Sequence, residues 1–379
     1  MLLGSCIYPL APYTEISIMS PSFQSFVGVD LHKCTVTLTA VDAAGEITKL
    51  KISTKSTGKI EVWLRSLSGP VWMAVEACPF VEWFIDRFRP CVDRIDIADA
   101  TELASRRGKR RKTDWNDSLD IAQRLARGEC PLGFIADEEL MQLRKLGRHW
   151  RHLSRLLSRS KHSMKSMLNA ANIRGPKFDG AAAQRWLLAN RDLLKPVQQQ
   201  TFADFIDVVM LTERHRERLR REMIFATRSE RFAPVVSLLI SVPGIGEIWG
   251  AMIAAEIGPF DRFPNADTLE FWAGMTADMK ESAGRTQSGN ITKAGSVTLR
   301  WALCQAAVTL CQCDARQEAI RQRLVKRIGK PKANVAMGRR LLRILYAMIR
   351  DGKPFDRGPA RDRTAAANKA RLGRKNQAA

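Results

Sequence analysis

Apolar and polar positions alternate with period two from Phe26 onward. FVGVDLHK, CTVTLTAVD and, after the turn AAGE, ITKLKIS predict three short strands in a meander. The period then lengthens in TGKIEVWLRSLSG, where Ile60, Val62, Trp63, Leu64 and Leu67 fall at helical spacing between glycines. PVWMAVEAC is a short apolar run of β-formers, PFVEWFIDRF is a helix with Pro79 at its start, and VDRIDIADA is a further strand. A basic loop follows in which only Gly108 interrupts the Arg and Lys from Arg106 to Lys112, and it leads into a helix that starts near Asp114.

The predicted order is β-β-β-α-β-α-β-α, the order of an RNase H-like domain, here placed at residues 25–133. The next region, 134–232, is read as basic helical and coiled-coil: Leu143, Leu146, Trp150, Leu153 and Leu157 alternate spacings of three and four. NIRGPKFDG breaks that helix, and one amphipathic stretch from about Ala182 to Phe232 is expected to return antiparallel. A mostly α domain at 233–350 opens with SVPGIGEIWGAMIAAEIG, whose Gly-Ile-Gly turn between apolar helices has the pattern of a helix-hairpin-helix. The fold class is therefore α/β plus all-α. Residues 1–24 are expected to be a disordered extension, with Met19 an alternative start, and 351–379 a disordered basic tail.

Charge changes the picture more than composition does. The chain has 61 Lys and Arg against 39 Asp and Glu, a formal net charge of +22 in 379 residues. Such an excess calls for a polyanionic partner, since every phosphate contact releases condensed counterions. Nucleic acid comes first. A membrane partner is not expected, because no run of about 20 apolar residues is present and the basic residues are spread over several elements. The candidate phosphate contacts are Arg110, Arg111 and Lys112 in the basic loop, Arg148, Arg151 and Arg155 on the long helix, and the amides around Gly244 and Gly246. Eight cysteines without a CxxC pair read as reduced thiols of a cytoplasmic protein, with Cys311 and Cys313 as small apolar residues of a helix.

Four acids stand where a metal site would want them. Asp30 lies within the first strand, Glu76 ends the fourth, and Asp114 and Asp117 share one face of the third helix. In an RNase H-like sheet the first and fourth strands are neighbours, so all four can converge on magnesium (or manganese) for phosphoryl transfer. Taken singly, each acid also has a plain structural reading, with Asp30 in a turn and Asp114 as the N-cap of its helix. Ser282 is expected in a loop two residues before Gly284, followed by the cations Arg285, Lys293 and Arg300. On residues alone, Ser282 and Ser288 both remain open as nucleophiles, or as turn residues.

The strings FVGVDLHK, MAVEACPF, KTDWNDSLDIA, VPGIG, AAEIGPFDRFPNADTLEFWAGM and SAGRTQSGNITKAGSVTLRWAL resemble the insertion-sequence transposases related to the Piv DNA invertase, bridge-RNA-guided recombinases with a RuvC-like domain. The resemblance covers about Phe26 to Arg350. It implies that Asp30, Glu76, Asp114 and Asp117 are a DEDD set of metal ligands and that Ser282 is the serine that links covalently to DNA. It further implies a structured guide RNA, double-stranded donor and target DNA, and a homo-oligomer, dimer or tetramer, in which carboxylates of one protomer work with the serine of another. Two other readings stay open: a junction-resolving endonuclease that uses the carboxylates with water, and a non-catalytic nucleic-acid-binding protein.

Overall fold

The computed structural model describes residues 23–100, 102–103, 113–282 and 285–356, with the side chains of 278–289 outside that description. The proposed extension up to residue 22, the tail from 357, and Arg110, Arg111 and Lys112 therefore lie outside the described residues. The chain divides into two compact units, one ending at Ala136 and one starting at Asp137.

In the first unit the meander forms as expected: β1 (Ser25–Leu31), β2 (Thr35–Asp42) and β3 (Ile47–Ser53) pair antiparallel. Helix α1 (Thr57–Arg65) carries the chain across to β4 (Val71–Glu76), which lies parallel to β1. Helix α2 (Val81–Phe88) leads to β5 (Arg94–Ala98), parallel to β4, and α3 (Asp114–Ala126) leads to the two-residue strand β6 (Leu132–Gly133). The sheet order is β3-β2-β1-β4-β5-β6. This mixed sheet with its helices is consistent with an RNase H-like domain.

Period two decides which helix each strand residue meets. Val27, Val29, Leu31, Val71, Met73 and Val75 point to one face and are buried with Ile60 and Leu64 of α1 and Phe84, Ile85 and Phe88 of α2. Ala74 and Ala98 point to the other face and pack with Ile121 and Leu125 of α3. Asp30 and Glu76, one step beyond the paired Val29 and Val75, belong to the α3 face.

The second unit is mostly helical. Helix α4 (Glu138–Ala170) is followed by α5 (Gly180–Ala189) and α6 (Pro196–Ala226). The expected single return helix is thus two, separated by a short 3-10 turn and restarted at Pro196, whose fixed φ and missing N–H suit a first turn. Helices α4 and α6 run antiparallel, with Lys161 meeting Glu213 and Met164 and Leu168 sharing a core with Phe202 and Ile206. The buried stripe of α4 differs from the expected seam at one place: Gly147 is buried and Leu146 is only half-buried. Gly147 lets a neighbouring helix in, since a Cβ there would lie 3.2 Å from Met252 Cγ.

That neighbour, α8 (Glu247–Ile257), follows α7 (Ala233–Ile240) across the turn at Ser241 to Gly246. Then come α9 (Ala266–Trp272), the antiparallel hairpin β7 (Ala277–Ser282) and β8 (Arg285–Ile291), α10 (Val297–Cys313), α11 (Ala315–Ile328) and α12 (Lys330–Asp351). Trp150 of α4, Trp249 of α8 and Trp301 of α10 meet with ring centroids 5.0 to 6.0 Å apart. Cys311 is buried and Cys313 exposed, which sets them on different faces of α10. Among the described residues no helix is long and apolar enough to cross a membrane.

Candidate metal centre and serine hairpin

The site in the first unit begins with Gly28. It shares the α3 face of β1 with Asp30, and a Cβ there would lie 2.0 Å from Ser118 O and 2.6 Å from Ala122 N. With no side chain in the way, the α3 backbone rests directly on β1. The Thr39 and Ser118 hydroxyls, 2.8 Å apart and buried, tie α3 to β2 as well. The first turn of α3 is thereby held over the end of β1. Thr113 caps the helix, its hydroxyl accepting from Asn116 N at 3.3 Å, so Asp114 is not the N-cap and its carboxylate turns to other partners.

Those partners are an imidazole and an ammonium, His32 and Lys51, neither of which the sequence pattern marks. His32 Nε2 is 3.3 Å from Asp30 Oδ2 and 3.8 Å from Asp114 Oδ1, and Lys51 Nζ donates to Asp114 Oδ2 at 2.8 Å. Both positions have a cause. His32 sits in the tight β1–β2 turn, where its backbone N–H donates to Thr35 O at 2.9 Å. Lys51 is in register with Thr37, and Thr37 with Asp30, so the three form one row across β3, β2 and β1. In the middle of that row the buried Thr37 Oγ1 has no hydrogen-bond partner.

Asp30, Asp114 and His32 each present a ligand atom within 4.8 Å of the others, a cluster compatible with a divalent cation. Burial pushes the Asp30 carboxyl above its usual range, His32 pulls it down, and Asp114, Glu76 and Asp117 push it up again. The other three sequence-predicted acids thus all act on Asp30, while the cluster with ligand atoms within 4.8 Å takes in Asp114 and His32 and not Glu76 or Asp117. Asp117 is buried and Glu76 half-buried. The hydrogen bond from Lys51 holds Asp114 below the usual carboxylate range. A divalent cation fits this set: it would neutralise carboxylates that otherwise repel, and oxygen donors with one imidazole suit a hard or borderline ion.

In the second unit Ser282 is not in a loop but is the last residue of β7, paired with Arg285 at the start of β8. The hairpin is closed at its base. Thr292 N donates to Thr276 O at 3.0 Å and Lys293 N to Gly274 O at 3.1 Å, with Lys293 itself in the left-handed region at φ 59°. The Gly244 turn packs on α10. Gly244 has φ +98°, and a Cβ there would lie 2.7 Å from Ala306 O, so this glycine is required by packing. Gly246 is the open N-cap of α8, with nothing within 4 Å of its Cβ position.

Sequence comparison reaches the same segment. A model of the Transposase IS116/IS110/IS902 family matches residues 236–322, which run from α7 through the hairpin into α11. A probable family 20 transposase of Pseudomonas aeruginosa is 22% identical over 333 residues, 86% of this chain and 96% of that protein. The chain is homologous to these insertion-element transposases. A pilin gene-inverting protein of Moraxella bovis is 35% identical over 127 residues, 32% of this chain and 38% of that protein. An uncharacterized 43.6 kDa protein of insertion element IS110 from Streptomyces coelicolor is 28% identical over 125 residues, 32% of this chain and 31% of that protein. The similarity thus spans nearly the full length of the Pseudomonas relative and about a third of the other two.

Several cations expected to face DNA have other partners. Arg148 forms a fork on Glu256, with Nε to Oε1 at 2.8 Å and a second bond at 3.0 Å, and the Glu256 side chain is only 3% exposed. Arg300 donates to two backbone carbonyls, Ala273 O at 3.1 Å and Gly295 O at 2.6 Å. Arg151 stands 5.8 Å over the Trp301 ring with its Nε buried and unbonded, and burial pushes its ionisation down. Arg155 and Lys293 remain exposed, and the side chain of Arg285 lies outside the described residues.

Proposed function

We propose that the chain is a DNA transposase or recombinase that cuts and rejoins strands through a phosphoserine intermediate formed by Ser282, guided by a structured RNA. The observation that carries this reading is the gathering of Asp30, His32 and Asp114, ligand atoms within 4.8 Å, on an RNase H-like sheet in a chain homologous to insertion-element transposases. Asp30 and Asp114, together with Glu76 and Asp117, would hold magnesium or manganese, and neutral His32 would be a further donor. Bound there, the ion supplies positive charge that a scissile phosphate needs as negative charge builds on its oxygens.

In the proposed reaction the Ser282 hydroxyl attacks phosphorus. The Oγ–P bond forms, the bond from phosphorus to the departing DNA oxygen breaks, and that oxygen takes up a proton equivalent to the one serine gives up. Attack by the hydroxyl of a new strand reverses these changes and frees Ser282. No water is consumed, so the strand is rejoined without an energy source. The exposed Arg155 and Lys293 and the amides at the start of α8 are assigned to backbone phosphates, with the α7–α8 turn acting as a helix-hairpin-helix and α4 with α6 as a basic coiled-coil hairpin alongside the nucleic acid. Partition between the carboxylates of one protomer and the serine of another remains part of this proposal.

The test uses full-length protein, labelled duplex bearing the element ends, and Mg2+ or Mn2+, with and without nuclease removal of co-purifying RNA. A denaturing gel is expected to show a protein–DNA adduct with the wild type, none with Ser282→Ala, and loss on RNA removal. Cleavage that persists in Ser282→Ala without any adduct would transfer the chemistry to water and refute the serine assignment.

A further inference from the structure

The two stretches of chain that flank the serine hairpin are held by one side chain. Arg300 lies in the second turn of α10, and its NH1 group donates both to Ala273 O, before β7, and to Gly295 O, after β8. No room is left at these roots for other side chains. Gly274 has φ +65°, and its Cβ would lie 2.5 Å from Ala294 N; a Cβ on Gly295 would lie 2.2 Å from Trp272 O. Beneath them, Met275 N donates to Glu270 O at 3.1 Å, and the fully buried Glu270 carboxylate is paired with Arg339 at 2.6 Å and Arg343 at 3.2 Å of α12.

We propose that Arg300 is a positioning residue that clamps both roots of the β7–β8 hairpin and so fixes where Ser282 stands, and that it is not a ligand for DNA phosphate. This rests on the reading of Ser282 as nucleophile. Both carbonyls accept from one guanidinium nitrogen, whose two N–H groups are fixed in the plane of the group, whereas a lysine ammonium is a point charge on a flexible stem. Arg300 is half-buried, and that burial pushes its ionisation down. A nucleophile displaced by about 1 Å loses on the order of 100-fold in rate while binding is untouched, because the loss falls on alignment.

The experiment compares wild type, Arg300→Lys and Arg300→Gln as full-length proteins. Three quantities are read: duplex affinity against salt concentration, the single-turnover rate of adduct formation at saturating DNA, and amide hydrogen exchange at Thr292 and Lys293. The clamp predicts affinity and salt slope within about twofold of wild type, an adduct rate about 100-fold lower in both variants, and faster exchange at both amides. A phosphate contact predicts the reverse: affinity lost with a salt slope smaller by about one, the rate kept at saturation, Arg300→Lys restoring binding, and amide protection unchanged. That outcome overturns the proposal. Should wild type cut DNA without an adduct, the serine reading fails, and the exchange data alone decide whether Arg300 holds the hairpin. Should Arg300→Gln not fold, Arg300→Lys carries the comparison.

Discussion

Asp30, Glu76 and Asp114 come from a strand, a second strand and a helix far apart along the chain, whereas everything from Ala273 to Arg300 around Ser282 is one uninterrupted segment. The first site is assembled by long-range register: period two puts Asp30 and Glu76 on the α3 face, and the missing Cβ of Gly28 lets α3 close over them. The second is assembled by backbone conformation, with Gly274 and Lys293 in the left-handed region and one guanidinium across the roots. A side chain placed by sheet register can be exchanged without moving its neighbours. One placed by strained local backbone depends on every residue of the segment.

The largest expected effect falls on the first site. Asp30→Asn keeps the shape of the side chain, which is 8% exposed in β1, and removes the charge that faces His32 and would bind a divalent cation. Metal stabilisation of a phosphoryl transition state is worth several kcal/mol, so cleavage is expected to fall by about 1,000-fold or more. Calorimetric titration with Mn2+ should lose most of its heat in this variant and none in Ser282→Ala. Equal Mn2+ binding by Asp30→Asn and wild type would remove Asp30 from the ligand set.

A smaller effect separates the two modes of assembly. Gly28→Ala and Gly244→Ala both force a Cβ into backbone, at 2.0 Å from Ser118 O and 2.7 Å from Ala306 O. Each is expected to cost about 1 to 3 kcal/mol or more of stability, as overpacking does. Only Gly28→Ala should weaken Mn2+ binding, by moving α3 and with it Asp114. Gly244→Ala, strained also by its φ of +98°, should leave the metal titration unchanged. If Gly244→Ala weakened Mn2+ binding as much as Gly28→Ala, the division into independently assembled sites would be wrong.

The same division explains what could be read in advance. The alternation in FVGVDLHK gives the face of Asp30, while PVWMAVEAC, an apolar run without alternation, places Glu76 only through the β-β-β-α-β element order that makes its strand the neighbour of the first. His32 and Lys51 were missed for the opposite reason: a lone His in a turn and a Lys on a polar edge strand carry no period, and only the Asp30–Thr37–Lys51 row shows what they meet. The hairpin strands ADMKES and RTQSGNI are polar, with no alternation to mark them. The basic neighbours of Arg148 point it toward phosphate, and nothing in the pattern shows its carboxylate partner, Glu256, in the apolar run AAEIG about a hundred residues on. Burial of a charge is visible only once its partner is in place.

The smallest effect comes from an exposed ion pair, where cap and charge can be told apart. Asp137 Oδ1 accepts from Leu140 N at 3.0 Å as the N-cap of α4 and from Arg231 NH1 at 2.6 Å. The Arg231 bond holds the Asp137 carboxyl below its usual range. A folded-state pKa below the unfolded value of about 3.9 means that the pair stabilises above that pH and that its contribution disappears as pH falls through the lowered value. Arg231 is shifted upward, so its own loss would come only as pH rises through its folded value, far into alkali. With Asp137 53% exposed, solvent screening limits the pair to about 0.5 kcal/mol. Asp137→Asn retains an equally good cap and deletes only the charge. Denaturant melts between pH 3 and 7 should therefore show wild type losing about 0.5 kcal/mol relative to Asp137→Asn on acidification, and 1 M NaCl should shrink that difference. A difference that stays constant across pH would assign the stability to the cap alone.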